Sequence, residues 1–160
     1  MLDGAVDAVT FATALGCGLV AGVFFAFSTF IMNALARLPA REGITAMQAI
    51  NITVITPLFM LALFGTGVVC LFLAGYSLFN LTNPRAVYLL SGGLVYFVGN
   101  IVVTILFNVP RNNALAAANP ASPDGARAWA DYLVTWTRWN HVRTVTAFGA
   151  AAAFMLALAE

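Results

Sequence analysis

Long stretches without a charged side chain alternate with short polar segments along this chain. The uncharged stretches run from Ala8 to Ala36, Gly43 to Pro84, Ala86 to Pro110 and Thr144 to Ala159. A helix needs about 20 apolar residues to cross roughly 30 Å of hydrocarbon. The first three stretches exceed that length, and the last attains it by extending back through Arg143, His141 and Asn140 to Trp139 and Trp136. The pattern predicts four spanning helices, over about residues 6–32, 51–75, 87–108 and 124–159, in one domain of residues 1–160. Asn83-Pro84 separates the second from the third, and Asn119-Pro120 with Ser122-Pro123-Asp124-Gly125 separates the third from the fourth. Pro57 frees the carbonyl of Thr53, so a kink in the second helix is expected beside Asn51. The fourth helix is longer than a membrane is thick, and its first third, with Arg127, Asp131 and Arg138, is expected to stand outside.

Composition agrees with this reading. Of 160 residues, 62% are hydrophobic and 8% charged, against roughly 45–50% and 25% in soluble proteins. The expected fold class is therefore all-α, an integral membrane four-transmembrane-helix bundle. The runs are apolar on all sides rather than alternating, which excludes a β-barrel. Seven Arg, no Lys and six acids sum to +1, so there is no basic field for nucleic acid. The lipid bilayer is the expected partner, and further copies of the chain are an open alternative. Asp3 and Asp7, with no Lys or Arg before the first run, do not read as a cleaved signal peptide. Arg37, Arg41, Arg111, Arg127, Arg138 and Arg143 fall on one side of the bundle and Arg85 alone on the other. The positive-inside rule then puts both termini outside the cytoplasm.

Polar residues gather at the Arg-rich end. Ser28, Thr29 and Asn33 close the first helix; Gln48, Asn51, Thr53 and Thr56 open the second; Asn108, Arg111, Asn112 and Asn113 close the third; Trp139, Asn140, His141 and Arg143 open the fourth. Tyr96, Asn100, Thr104 and Asn108 recur every fourth residue, a polar stripe unsuited to lipid. Hydrogen bonds between helices account for any one of these residues, at about 0.6 to 2 kcal/mol each. Glycines such as the Gly18 and Gly22 pair read as packing positions. An Arg buried at mid-membrane costs on the order of 2.5 to 3.5 kcal/mol, so the combined cluster points to a polar pocket open to the cytoplasm.

No acidic residue lies within a predicted span. A carboxylate-bridged metal pair, zinc or haem would need more carboxylate, His or thiolate than one His and the separated Cys17 and Cys70 provide, and both cysteines read as packing residues. Phosphate loops, dinucleotide fingerprints and nucleophile elbows are absent from the sequence, and no metal or cofactor is expected. The remaining inventory is His141 beside guanidinium cations, amides and large aromatics. It suits proton abstraction from a flat apolar molecule and stabilisation of the resulting anion.

The segment Asn-Val-Pro-Arg-Asn-Asn-Ala-Leu-Ala at Asn108 to Ala116, followed by Trp-Thr-Arg-Trp-Asn-His-Val-Arg-Thr at Trp136 to Thr144, resembles the signature of the anthrone oxygenase-like family of small four-helix membrane proteins. Met47 to Asn51, Pro57 and the Gly22 to Phe30 stretch fit the same pattern. The resemblance implies oxidation of an anthrone by molecular oxygen without an evident cofactor, as in fungal members. It also implies a bacterial member, hence an inner-membrane location, and bacterial members largely have no established reaction. His141, Arg143 and Asn140 are then the catalytic candidates, with Asn51, Asn108, Asn112, Trp136 and Trp139 binding a small lipophilic aromatic substrate. Arg111 departs from the expected apolar residue at its place. Two other functions use the same inventory: a non-enzymatic binding or permeation protein, and a structural subunit of a membrane complex. On an undistorted helix His141 and Arg143 diverge by about 200°, so either both meet across the substrate or Asn140 and Arg143 form the working pair and His141 is an interface residue.

Overall fold

The computed structural model describes residues 2–160 as helices joined by short turns, with no strand among the described residues. Helix α1 runs Leu2–Ala26 and continues through a widened π-helical turn, Phe27–Ile31, into Met32–Leu35. Helix α2 is Ala40–Thr53. Helix α3 comprises Pro57–Met60, a π-helical turn at Leu61–Gly65 and Thr66–Leu78. Helix α4 comprises Ala86–Tyr96, widened turns at Phe97–Val102 and Thr104–Asn108, and Val109–Ala117. Helix α5 is Pro123–Ala159. Helices α1, α3, α4 and α5 are each long and apolar enough to cross a membrane. The chain is thus the all-α four-span membrane bundle that its hydrophobic pattern predicts.

The second predicted helix needs correction. The span predicted over 51–75 is α3, which starts at Pro57, and the residues before it form a separate helix, α2, that ends at Thr53. Pro57 does not kink a continuous helix; it occupies the first turn of α3, where its missing N–H costs nothing, and the Thr56 hydroxyl caps that turn by accepting from Phe59 N at 3.2 Å. Asn51 therefore closes α2 instead of opening a span. Helix α4 also runs past the predicted end at residue 108 to Ala117. Pro110 falls directly after a widened turn, where the regular hydrogen-bond ladder is already interrupted.

The spans pack as a ring, α1 on α5, α5 on α4, α4 on α3 and α3 back on α1. Gly93 and Gly99 show how α4 comes so close to both neighbours: a Cβ on Gly93 would strike the Cys70 carbonyl of α3, and one on Gly99 would strike Thr146 of α5. Gly18 and Gly22, by contrast, face no neighbouring helix. Their spacing is a packing motif without a partner in this chain. One apolar core, around Cys17, Phe24, Cys70, Tyr96, Ala147 and Phe154, fills the middle of the ring. A second forms where α2 lies against α5, around Met32, Ile44, Met47, Leu115, Trp129 and Trp136. Gly43 allows this contact, because a Cβ there would come within 2.9 Å of the Trp129 ring. Gln48 fixes the end of α4 by donating to the Leu115 and Ala118 carbonyls at 2.8 and 3.2 Å.

Candidate functional site

Between the two cores lies a layer of buried polar side chains, and beside it a cavity of about 200 Å³. All five helices line that cavity, with Phe24 and Phe27 from α1, Met47 and Asn51 from α2, Phe59 and Leu63 from α3, Thr104 and Asn112 from α4, and Trp136 and Arg143 from α5. The walls are mostly apolar. At the α2–α3 break and across from it on α4 the lining reaches the outer surface, where Ile55 is 68% and Val109 40% exposed. The break at residues 54–56 thus forms part of the wall, which is how Pro57 bears on the site.

Arg143 is the one charged side chain in the lining and is 5% exposed. Its Nη1 donates to Thr104 Oγ1 at 3.2 Å and its Nη2 to Asn140 Oδ1 at 2.7 Å, while Nε has no acceptor. The guanidinium carbon lies 4.0 Å from the Phe24 ring centre and 5.2 Å from that of Trp136. Every one of these partners is neutral. Among the described residues the ion pairs are Arg85 with Asp7 and Arg127 with Asp124, so no carboxylate balances Arg143. Burying an uncompensated cation costs several kcal/mol, of order 1 to 3 kcal/mol being recovered per charge-assisted hydrogen bond.

Asn140 anchors this arrangement from behind. Its Nδ2 donates to the Phe24 carbonyl and to Ser28 Oγ, both at 2.7 Å, and Ser28 Oγ lies 3.0 Å from Thr144 Oγ1. The contacts tie α1 to α5 beside the widened turn of α1. Asn108 is buried in α4 and donates to the Trp136 carbonyl at 3.3 Å without lining the cavity. A four-residue step overshoots an α-helical turn by about 40°. The widened turns of α4 absorb that drift and keep Tyr96, Asn100, Thr104 and Asn108 all buried along one face.

At the outer end of the cavity Tyr132 joins three helices. Its hydroxyl donates to Asn112 Oδ1 at 2.9 Å and accepts from Asn51 Nδ2 at 3.4 Å. Tyr132 also stacks between Trp129 and Trp136, with ring centres 5.8 and 5.7 Å away. The sequence reading misses it, although Trp129, Tyr132 and Trp136 recur at the three- and four-residue spacing that places aromatics on one helix face.

Asn51, Asn112, Trp136 and Arg143 of the sequence-predicted set line the cavity, and Asn140 and Asn108 stand behind its wall. Two candidates are elsewhere. His141 lies on the exposed outer face of α5, and Trp139 stacks on Phe107 with ring centres 3.6 Å apart, outside the lining. The reason is helix geometry: with Arg143 and Asn140 turned inward, a residue two positions from Arg143 points about 200° away. Arg111 is likewise outside, its Nη1 bound to the Phe107 carbonyl at 2.7 Å. No group of three or more His, Cys, Asp or Glu side chains suited to a metal gathers among the described residues.

The profile of the anthrone oxygenase family matches residues 58–153, which include α3 after its first residue, α4 and the cavity-lining part of α5. The chain belongs to the anthrone oxygenase family. No match was found among curated proteins or among solved structures. Family membership supports an oxygenase-like role in general, and the four apolar spans are compatible with an integral membrane protein.

Proposed function

We propose that this member of the anthrone oxygenase family is a membrane-embedded, cofactor-independent oxygenase of a lipophilic aromatic substrate such as an anthrone. The observation that carries this reading is Arg143, a buried cation without a carboxylate partner in the wall of an aromatic-rich cavity. Loss of a proton from the ring CH2 of an anthrone gives an enolate, and a guanidinium beside its oxygen stabilises that charge most where water is excluded. The electron-rich carbon then reduces O2 and forms a C–O bond. Cleavage of the O–O bond with loss of water turns the CH2 into a carbonyl. One oxygen atom enters the product and the other leaves as water, with all electrons supplied by the substrate.

Within this reading Arg143 is the catalytic residue, and Trp136, Asn51 and Asn112 contact the substrate. Asn140 and Thr104 are positioning residues, since they hold the guanidinium. His141 and Trp139 take no part. Oxygen consumption by the purified protein with a panel of anthrones tests the proposal; uptake no faster than in protein-free detergent would contradict it.

The same reading places the protein in the inner membrane of a bacterium with both termini outside the cytoplasm. Its support is the charge distribution: Arg85, the lone cation at its end of the bundle, pairs with Asp7 at 2.6 Å. Arg37, Arg41, Arg127 and Arg138 belong to the opposite end and, among the described residues, are without a close carboxylate, apart from the Arg127 pair with Asp124.

A further inference from the structure

We infer that the cavity receives its ligand already ionised, as a planar lipophilic phenolate or enolate, because the described residues offer a cation there and no base. This deepens the proposed function and rests on the same cavity, but not on turnover.

Around Arg143, α1 presents Phe24, α2 Met47 and Asn51, α3 Phe59 and Leu63, α4 Thr104 and Asn112, and α5 Asn140 and Trp136. None of these takes up a proton near neutral pH. Two hydroxyls nearby are already engaged, Tyr132 with Asn112 and Asn51, and Tyr96 with the Leu63 carbonyl at 3.1 Å. The single imidazole, His141, is on the outer face of α5. A neutral ligand would leave the cation unbalanced in a low-dielectric setting, whereas an anion balances it. The proton is therefore lost to water before the ligand is bound. Aromatic rings in the walls, Phe24, Phe27, Phe59, Phe64 and Trp136, suit a flat ring system better than a long acyl chain.

Linkage gives the measurable consequence. A site that binds the anion tenfold more tightly than the acid lowers the ligand's apparent pKa by about one unit. The probe is a nitronaphthol whose anion is coloured, titrated against pH with the purified protein in detergent and with protein-free micelles. The expected result is a bound pKa at least about one unit below the micellar value, with the methyl ether of the same dye binding at least about tenfold more weakly. Arg143→Gln should abolish the shift. Should that variant fail to fold, Thr104→Asp keeps the guanidinium but supplies a carboxylate to it, and should abolish the shift as well. A dye bound in its neutral form, or an undiminished shift in Thr104→Asp, would overturn the inference. Displacement of the dye by a fatty acid as readily as by an aromatic acid would overturn its aromatic part. Failure of the proposed oxygenase reaction is read separately, as absent oxygen uptake with the colour shift intact.

Discussion

Asn140 accepts a 2.7 Å hydrogen bond from Arg143 with its side-chain oxygen while its amide nitrogen donates to the Phe24 carbonyl and the Ser28 hydroxyl of α1. One side chain thus fixes the orientation of the guanidinium and the docking of α1 on α5. The two roles predict a paired outcome. Asn140→Ala removes three hydrogen bonds and should destabilise the bundle by about 2 to 6 kcal/mol, at about 0.6 to 2 kcal/mol each. Asn140→Asp retains an acceptor for Arg143 but adds a counter-charge, so oxidation should fall more steeply than stability. Unfolding in mixed micelles together with anthrone oxidation checks this; equal losses of both in Asn140→Asp would contradict the assigned role.

His141→Ala should leave the rate and its pH profile as in the parent protein, because His141 is on the outer face of α5. Measurement of oxidation from about pH 5 to 8, the range in which an unperturbed imidazole titrates, is the check. Loss of the acidic limb of the profile, the fall in rate as a base becomes protonated, would restore His141 as the base.

The four spans were legible because each depends on a simple property, a run without charge longer than a bilayer requires. The division of the second run into α2 and α3 was harder to read. No charged residue marks it between Gly43 and Pro84, and the exposed face of α2 carries Thr45, Ala49 and Ile52, which resemble residues of a span. Thr56-Pro57 held the signal, a hydroxyl N-cap before a first-turn proline, but the same proline also suits a kinked helix. Asn51, Asn112, Trp136 and Arg143 were legible as a site because each is costly to leave in lipid. Which of His141 and Arg143 faces inward was not, since spacing gives their relative direction and only packing gives the absolute one.

Gly43→Leu should detach α2 from α5. The Trp129 ring leaves no space for a side chain at residue 43, and α2 carries Met47, Asn51 and the start of the cavity wall. Overpacking of this kind costs about 1 to 3 kcal/mol. Increased proteolysis between residues 36 and 56, with the remaining helices intact, is the expected outcome; an unchanged digestion pattern would show that α2 is not held through this contact.

The proposed orientation predicts opposite labelling of two exposed loop positions, Thr82 between α3 and α4 and Ala121 between α4 and α5. In a background lacking Cys17 and Cys70, an impermeant thiol reagent applied to intact cells should modify Thr82→Cys and spare Ala121→Cys. The reverse pattern would invert the topology.

Transfer of oxygen from O2 to an aromatic carbon beside Arg143 can be followed most directly with isotopic oxygen. The purified protein is supplied with an anthrone under 18O2, and the quinone product is analysed by mass spectrometry beside Arg143→Gln and a protein-free control. One 18O atom per product is expected, formed well above the uncatalysed rate. A fall of at least about tenfold in kcat/KM is expected in the variant, because the site no longer favours the enolate over the neutral form. Product without the label, or an Arg143→Gln protein as fast as the parent, would contradict oxygen transfer supported by Arg143.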